Sequence, residues 1–97
     1  MSGRPTSNRA DGIDRMLEPP TRAEISSRLA GVIRHARRFR RLSIARLSAL
    51  SEVSRRTIRE IERGEGYLPT LSTLLDLSRP LGLTIGEIGQ HIDPTSP

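Results

Sequence analysis

The 97 residues include no cysteine, no tryptophan and no lysine, with a single phenylalanine and a single tyrosine. Without cysteine there is neither a disulfide framework nor a thiolate zinc site. With so few aromatics the core has to come from Leu, Ile and Val, and packed helices are the economical way for a chain this short to build one. No apolar run approaches the ~20 residues that span a bilayer, and the first residues lack the apolar centre of a secretory leader. No membrane partner and a cytoplasmic location are therefore expected. Catalytic constellations are missing too. His35 and His91 stand far apart with no ligand cluster at metal spacing, no Gly-framed nucleophile turn occurs, and no Gly-rich loop ends in Lys. The chain reads as a non-enzyme with no cofactor and no metal.

What the chain has is arginine. All 16 basic residues are Arg, and the net charge is +5. The excess is local. Residues 28–63 hold eleven Arg against Glu52, Glu60 and Glu62, a surplus of +8, whereas residues 1–27 balance and residues 64–97 sum to −3. Clustering of this kind marks a surface for a polyanion. Arg in particular offers a planar fork that suits phosphate and guanine, although an Arg-biased genome explains much of its choice over Lys.

The surplus surrounds Leu47 to Gly64, LSALSEVSRRTIREIERG. Here a short apolar-spaced helix, a tight turn and a second helix follow within eighteen residues. That is the layout of a helix-turn-helix, whose second helix is offered to a nucleic-acid groove. Leu47, Leu50, Val53, Ile58 and Ile61 are the expected buried positions, Ser48 is small where the helices approach, and Ser54 caps the second helix. Outward lie Arg55, Arg56, Arg59 and Arg63.

Around this motif the chain divides into a flexible arm over 1–21, a helical domain over 22–93 and a frayed tail over 94–97. The arm is rich in Pro, Gly and small polar residues, with an apolar turn at Ile13, Met16 and Leu17 and a Gly3-Arg4-Pro5 tripeptide. Helix 1 is expected from about Arg22 to Arg40, opened by a capping box of Thr21 and Glu24, with Ile25, Leu29, Val32, Ile33, Ala36 and Phe39 as its stripe. Its other face carries Arg34, Arg37, Arg38 and Arg41. Ser43 caps helix 2, from Ile44 to about Leu50, and helix 3 spans Arg55 to Arg63, stopped by Gly64. Thr70 caps helix 4, with Leu71, Leu74, Leu75 and Leu77 inward and an end or kink at Pro80. Thr84 and Glu87 open helix 5 with a second capping box. The outcome is an all-α, compact five-helix domain without strand or internal repeat.

At these spacings the sequence resembles the Cro/C1-type helix-turn-helix (XRE-like, lambda repressor-like) family over roughly Leu29 to Ile88. The likeness rests on Leu42-Ser43, Val53-Ser54, Thr57-Ile58, Ile61-Glu62-Arg63-Gly64, Pro69-Thr70-Leu71 and Leu81-Gly82-Leu83-Thr84 in this order. It implies an ion pair between Arg37 and Glu62 that ties helix 1 to the recognition helix. The chain departs from the family pattern at Ile44, where Gln is usual, and at Arg41 and Glu52, where Gly is common. A left-handed backbone at either of the latter would cost roughly 1–2 kcal/mol.

These readings together predict a sequence-specific regulator of transcription, a repressor, that binds double-stranded DNA as a homodimer and is nucleoid-associated. Arg55, Arg56 and Arg59, near the start of helix 3, are the expected base contacts, and Arg56 could pair with Glu60 at i, i+4. Ser54, Thr57, Arg63 and Tyr67 are the expected phosphate contacts. Leu83, Ile85, Ile88 and Ile92 are candidates for the dimer surface, with core packing as the plainer alternative. An antitoxin that binds DNA and a toxin, and an adaptor that turns the Arg face to an acidic protein partner, are the rival readings.

Overall fold

The computed structural model describes residues 18–94. The apolar turn at Ile13, Met16 and Leu17, the Gly3-Arg4-Pro5 tripeptide and most of the tail lie outside the described residues. Five helices follow one another: α1 (Arg22–Phe39), α2 (Ile44–Ser51), α3 (Arg55–Arg63), α4 (Leu71–Leu81) and α5 (Ile85–Ile92). No strand occurs among the described residues. The fold is the all-α arrangement expected.

Each helix starts where a hydroxyl can take up an orphan backbone donor. Thr21, Ser43, Ser54, Thr70 and Thr84 all sit in extended backbone and accept from the N–H three residues on. Such a cap contributes about 1 kcal/mol. At Thr21 and Thr84 the box is reciprocal, because Glu24 and Glu87 accept from the cap residue's own N–H at 2.8 and 2.9 Å. Four of the five described helices, α1 to α4, end on left-handed residues. After α1, Arg41 N–H reaches Arg38 O and Leu42 N–H reaches Arg37 O; after α4, Gly82 and Leu83 repeat the pattern on Arg79 and Ser78. This is the Schellman arrangement, which needs positive φ at its centre. Arg41 (φ 58) and Glu52 (φ 64) supply that geometry without being glycine.

α1 lies against α3 and α5, and α2 bridges α3 and α4. Between them Leu29, Ile33, Leu47, Ile58, Ile61, Leu77, Leu81 and Ile88 are essentially sealed from water. Each contributes about 1.5–3 kcal/mol by burial. Leu83, Ile85 and Ile92 pack on the same cluster from its edge, so with Ile88 they serve the core first.

Several expected core positions face outward instead. Phe39 is 78% exposed and stacks on His35 one turn back. It is the last residue of α1 and sits on the rim of a depression that it shares with Leu81, Gly82 and Leu83. Leu50 is exposed and Ser51 is buried in its place. Ser51 fits there because its hydroxyl donates to Leu47 O and accepts from Val53 N–H. On α4, Leu71 is 62% exposed and Leu75 also faces solvent, whereas Leu74, Leu77, Ser78 and Leu81 form the inward side. Leu74, Leu77, Ser78 and Leu81 are a complete i, i+3, i+4, i+7 stripe, and Leu71 and Leu75 lie along its edge, outside the side that the neighbouring helices cover. Pro80 does not end α4, which continues to Leu81. Only one backbone bond is lost there, and Gly82 performs the stop.

Candidate nucleic-acid interface

α3 owes its placement to contacts at both ends. At its start Ser54 Oγ accepts from Thr57 N–H at 3.0 Å and donates to Thr57 Oγ1 at 2.9 Å. Preceding it, Ser48 Oγ donates to Val53 O at 2.6 Å and locks the turn onto α2. At its end Gly64 is left-handed, and a Cβ there would stand 3.0 Å from Ala30 Cβ and 3.3 Å from Ser27 Cα. Only glycine lets the end of α3 come this close to α1.

Between these ends Arg37 holds Glu62. Arg37 Nε donates to Glu62 Oε2 at 2.8 Å and Nη2 to Oε1 at 2.9 Å, while Nη1 donates to Leu42 O at 2.9 Å. The side chains are only 12% and 8% exposed. The fork-to-fork geometry satisfies both carboxylate oxygens, which a buried pair requires. Hydrogen bonding to Glu62 raises the Arg37 pKa further, against the desolvation that lowers it. One guanidinium thus joins α1, the α1–α2 turn and α3.

Other arginines staple the fold in a way that sequence spacing does not reveal. Arg28 donates to Ile92 O, Arg34 to Glu62 O and Arg40 to Leu81 O, at 2.8–2.9 Å. Each accepting carbonyl belongs to the last turn of a helix, where carbonyls lack partners and a cation meets the negative end of the dipole. Arg22 Nε donates to Gly66 O and Ser26 Oγ accepts from Gly66 N–H, which positions the loop that carries Tyr67. Arg34, expected on an outer face, turns to α3 instead. The signal for this lies in α1 running past the ends of three other helices, a tertiary fact.

The outward face of α3 is different. Arg55, Arg56 and Arg59 are exposed, and none makes a hydrogen bond or ion pair with another described residue. Arg55 and Arg56 occupy the first turn of their helix, where α1 and α5 place Glu24 and Glu87. A cation there opposes the helix dipole by about 0.3–1 kcal/mol. Arg46 breaks the rule in α2 as well, but among the described helices α3 alone sets two cations in its first turn with no acid beside them, and such breaks concentrate where function demands them. Glu60 does not pair with Arg56. It accepts from Arg63 Nη1 at 2.6 Å, the order in which the acid precedes the cation, which helices favour. Thr57 is half-buried with its hydroxyl beside Ser54, and Tyr67 is exposed in the loop after α3. Arg56, Arg59, Glu60 and Arg63 line an open depression of about 370 Å³. A second one, of about 280 Å³, lies between Arg34, Ile44, Arg59, Glu62 and Arg63.

No group of three or more metal-ligating side chains gathers among the described residues, and no described helix is long and apolar enough to cross a membrane. A capped helix, fixed from behind by a buried ion pair and presenting unpaired arginines in front, defines a DNA-binding helix-turn-helix domain. The helix-turn-helix family model matches residues 33–88, more than half of the chain. The chain belongs to the Cro/C1-type helix-turn-helix family, whose members are DNA-binding regulators and not, in general, enzymes. Neither a curated protein nor a solved structure matches it.

Proposed function

We propose that the protein is a sequence-specific repressor of transcription that reads the major groove with α3 and binds its site as a homodimer. The observation that carries this is the set of three unpartnered arginines on the exposed face of α3. Arg55, Arg56 and Arg59 are assigned to base edges, where a bidentate Arg–guanine pair contributes about 1–3 kcal/mol of discrimination. Thr57, Arg63 and Tyr67 flank them and are assigned to phosphates. Ser54 belongs with these, although its hydroxyl hydrogen already serves Thr57, so its own contribution is the cap that aims the helix. One helix of nine residues touches too few base pairs for selectivity, and a second copy on a half-site one helical turn away supplies the rest.

Selection from a randomised duplex pool, followed by a salt titration on the winning site, tests the reading. The expected result is a two-fold-symmetric, guanine-containing site bound with a steep salt slope. Arg55→Ala should relax sequence preference, whereas Arg63→Ala should weaken all duplexes alike. Recovery of no sequence, with weak binding that merely follows salt, would replace this reading by one in which a toxin or another acidic protein is the partner.

A further inference from the structure

The turn between α1 and α2 carries a residue that the fold does not use. Arg41 holds the left-handed centre of the Schellman arrangement at φ 58. The same arrangement after α4 is centred on Gly82, the residue this geometry favours. A non-glycine side chain in that region is held against a steric penalty, and such positions gather at functional sites. The Arg41 side chain is exposed and makes no hydrogen bond or ion pair with any described residue. Its neighbours Arg37 and Arg40 are both engaged within the fold.

The position of the turn gives the side chain an object. Arg37 bonds Leu42 O in the turn with one nitrogen and Glu62 of α3 with two others, so turn and recognition helix are held as one piece. Ile44, three residues beyond Arg41, walls a depression together with Arg59 and Arg63. The turn therefore flanks the exposed arginine face of α3. Glu52, the other left-handed non-glycine, borders Leu50, Asp76, Arg79 and Pro80 on the α2–α4 side.

We propose that Arg41 is a contact to the sugar-phosphate backbone, gripping the duplex beside the groove that α3 enters. This rests on the reading of α3 as the DNA-binding helix. A guanidinium at the tip of a rigid turn meets a phosphate with two parallel N–H donors and little loss of side-chain freedom beyond its own.

The test uses the full chain and its selected duplex, with affinity followed across a salt series and thermal melting followed by circular dichroism. R41G should melt about 4–8 °C higher, because glycine relieves the backbone. It should nevertheless bind roughly tenfold more weakly, with a slope of log K against log salt shallower by about one. R41K should keep the slope. E52G should gain thermal stability and bind as before. R41G binding with unchanged affinity and slope, while R55A still binds poorly, would overturn the role of Arg41 and leave the α3 reading standing. Equal weakening in R41G and R41K with a lowered melting point would overturn it too, since the turn's structure would then carry the loss. A wild-type chain without salt-dependent duplex binding would remove the α3 reading itself, and this proposal with it.

Discussion

Glu62→Ala tests how the recognition helix is held. The Glu62 carboxylate is 92% shielded as a side chain and takes two hydrogen bonds from Arg37, itself 12% exposed. Truncation leaves a nearly buried guanidinium with Leu42 O as its remaining partner. Removing one side of such a pair costs about 3–5 kcal/mol. Domains of this kind have total stabilities of roughly 5–15 kcal/mol, so a large part of the fold's margin goes. At about 4–8 °C per kcal/mol, the melting point should fall by at least about 12 °C. The ion pair is not equivalent to net stability, however. Replacing both partners by apolar residues removes the stranded charge, so Arg37→Met with Glu62→Leu should lose less than Glu62→Ala alone. Urea and thermal unfolding of the singles and the double, read as a cycle, supply the numbers. A loss below about 1 kcal/mol for Glu62→Ala would match an exposed pair and would refute the claim that this pair fastens α3 to α1.

Three further outcomes follow from other parts of the fold. Gly82→Ala should destabilise by about 1–2 kcal/mol, because φ is +70 and a Cβ would run into the Arg40 guanidinium lying across it; unfolding in urea measures this, and an unchanged midpoint would contradict it. Glu60→Gln should leave stability within about 0.5 kcal/mol, since its pair with Arg63 is exposed, yet it should tighten duplex binding by releasing Arg63; fluorescence anisotropy at low salt decides. Glu24 accepts the Thr21 backbone N–H, which holds its carboxyl below the usual range. A depressed pKa stabilises the fold above the unfolded value, and that contribution disappears only as pH falls through the folded one. Carboxyl NMR titration should therefore show a low midpoint, with first-turn amides of α1 losing protection at the same acid pH; an ordinary Glu midpoint would refute the capping account.

The helices themselves were legible in the residues because their signals are local. A hydroxyl with Glu three residues on marks a start at Thr21 and at Thr84, and Gly64 marks a stop, whereas α4 runs through Pro80 and stops only at Gly82. The bounds of α3 follow from Ser54 and Gly64 alone. Family likeness was legible for the same reason, since it resides in spacings along the chain. Which leucines of α4 face inward was not. A helix so rich in leucine satisfies more than one stripe, and only the neighbours that occupy one side choose between them.

The arginines show the division most clearly. The sequence by itself determined that eleven of them crowd residues 28–63, and hence that this region carries a strong positive field. Their separate tasks were decided by tertiary structure. Arg28, Arg34, Arg37 and Arg40 are drawn to carbonyls and a carboxylate on elements distant in sequence, whereas Arg41, Arg55, Arg56 and Arg59 are left to the solvent. Charge is a property each residue brings with it, but a partner is a matter of position, and a helix end without donors attracts whichever guanidinium the packing brings within reach.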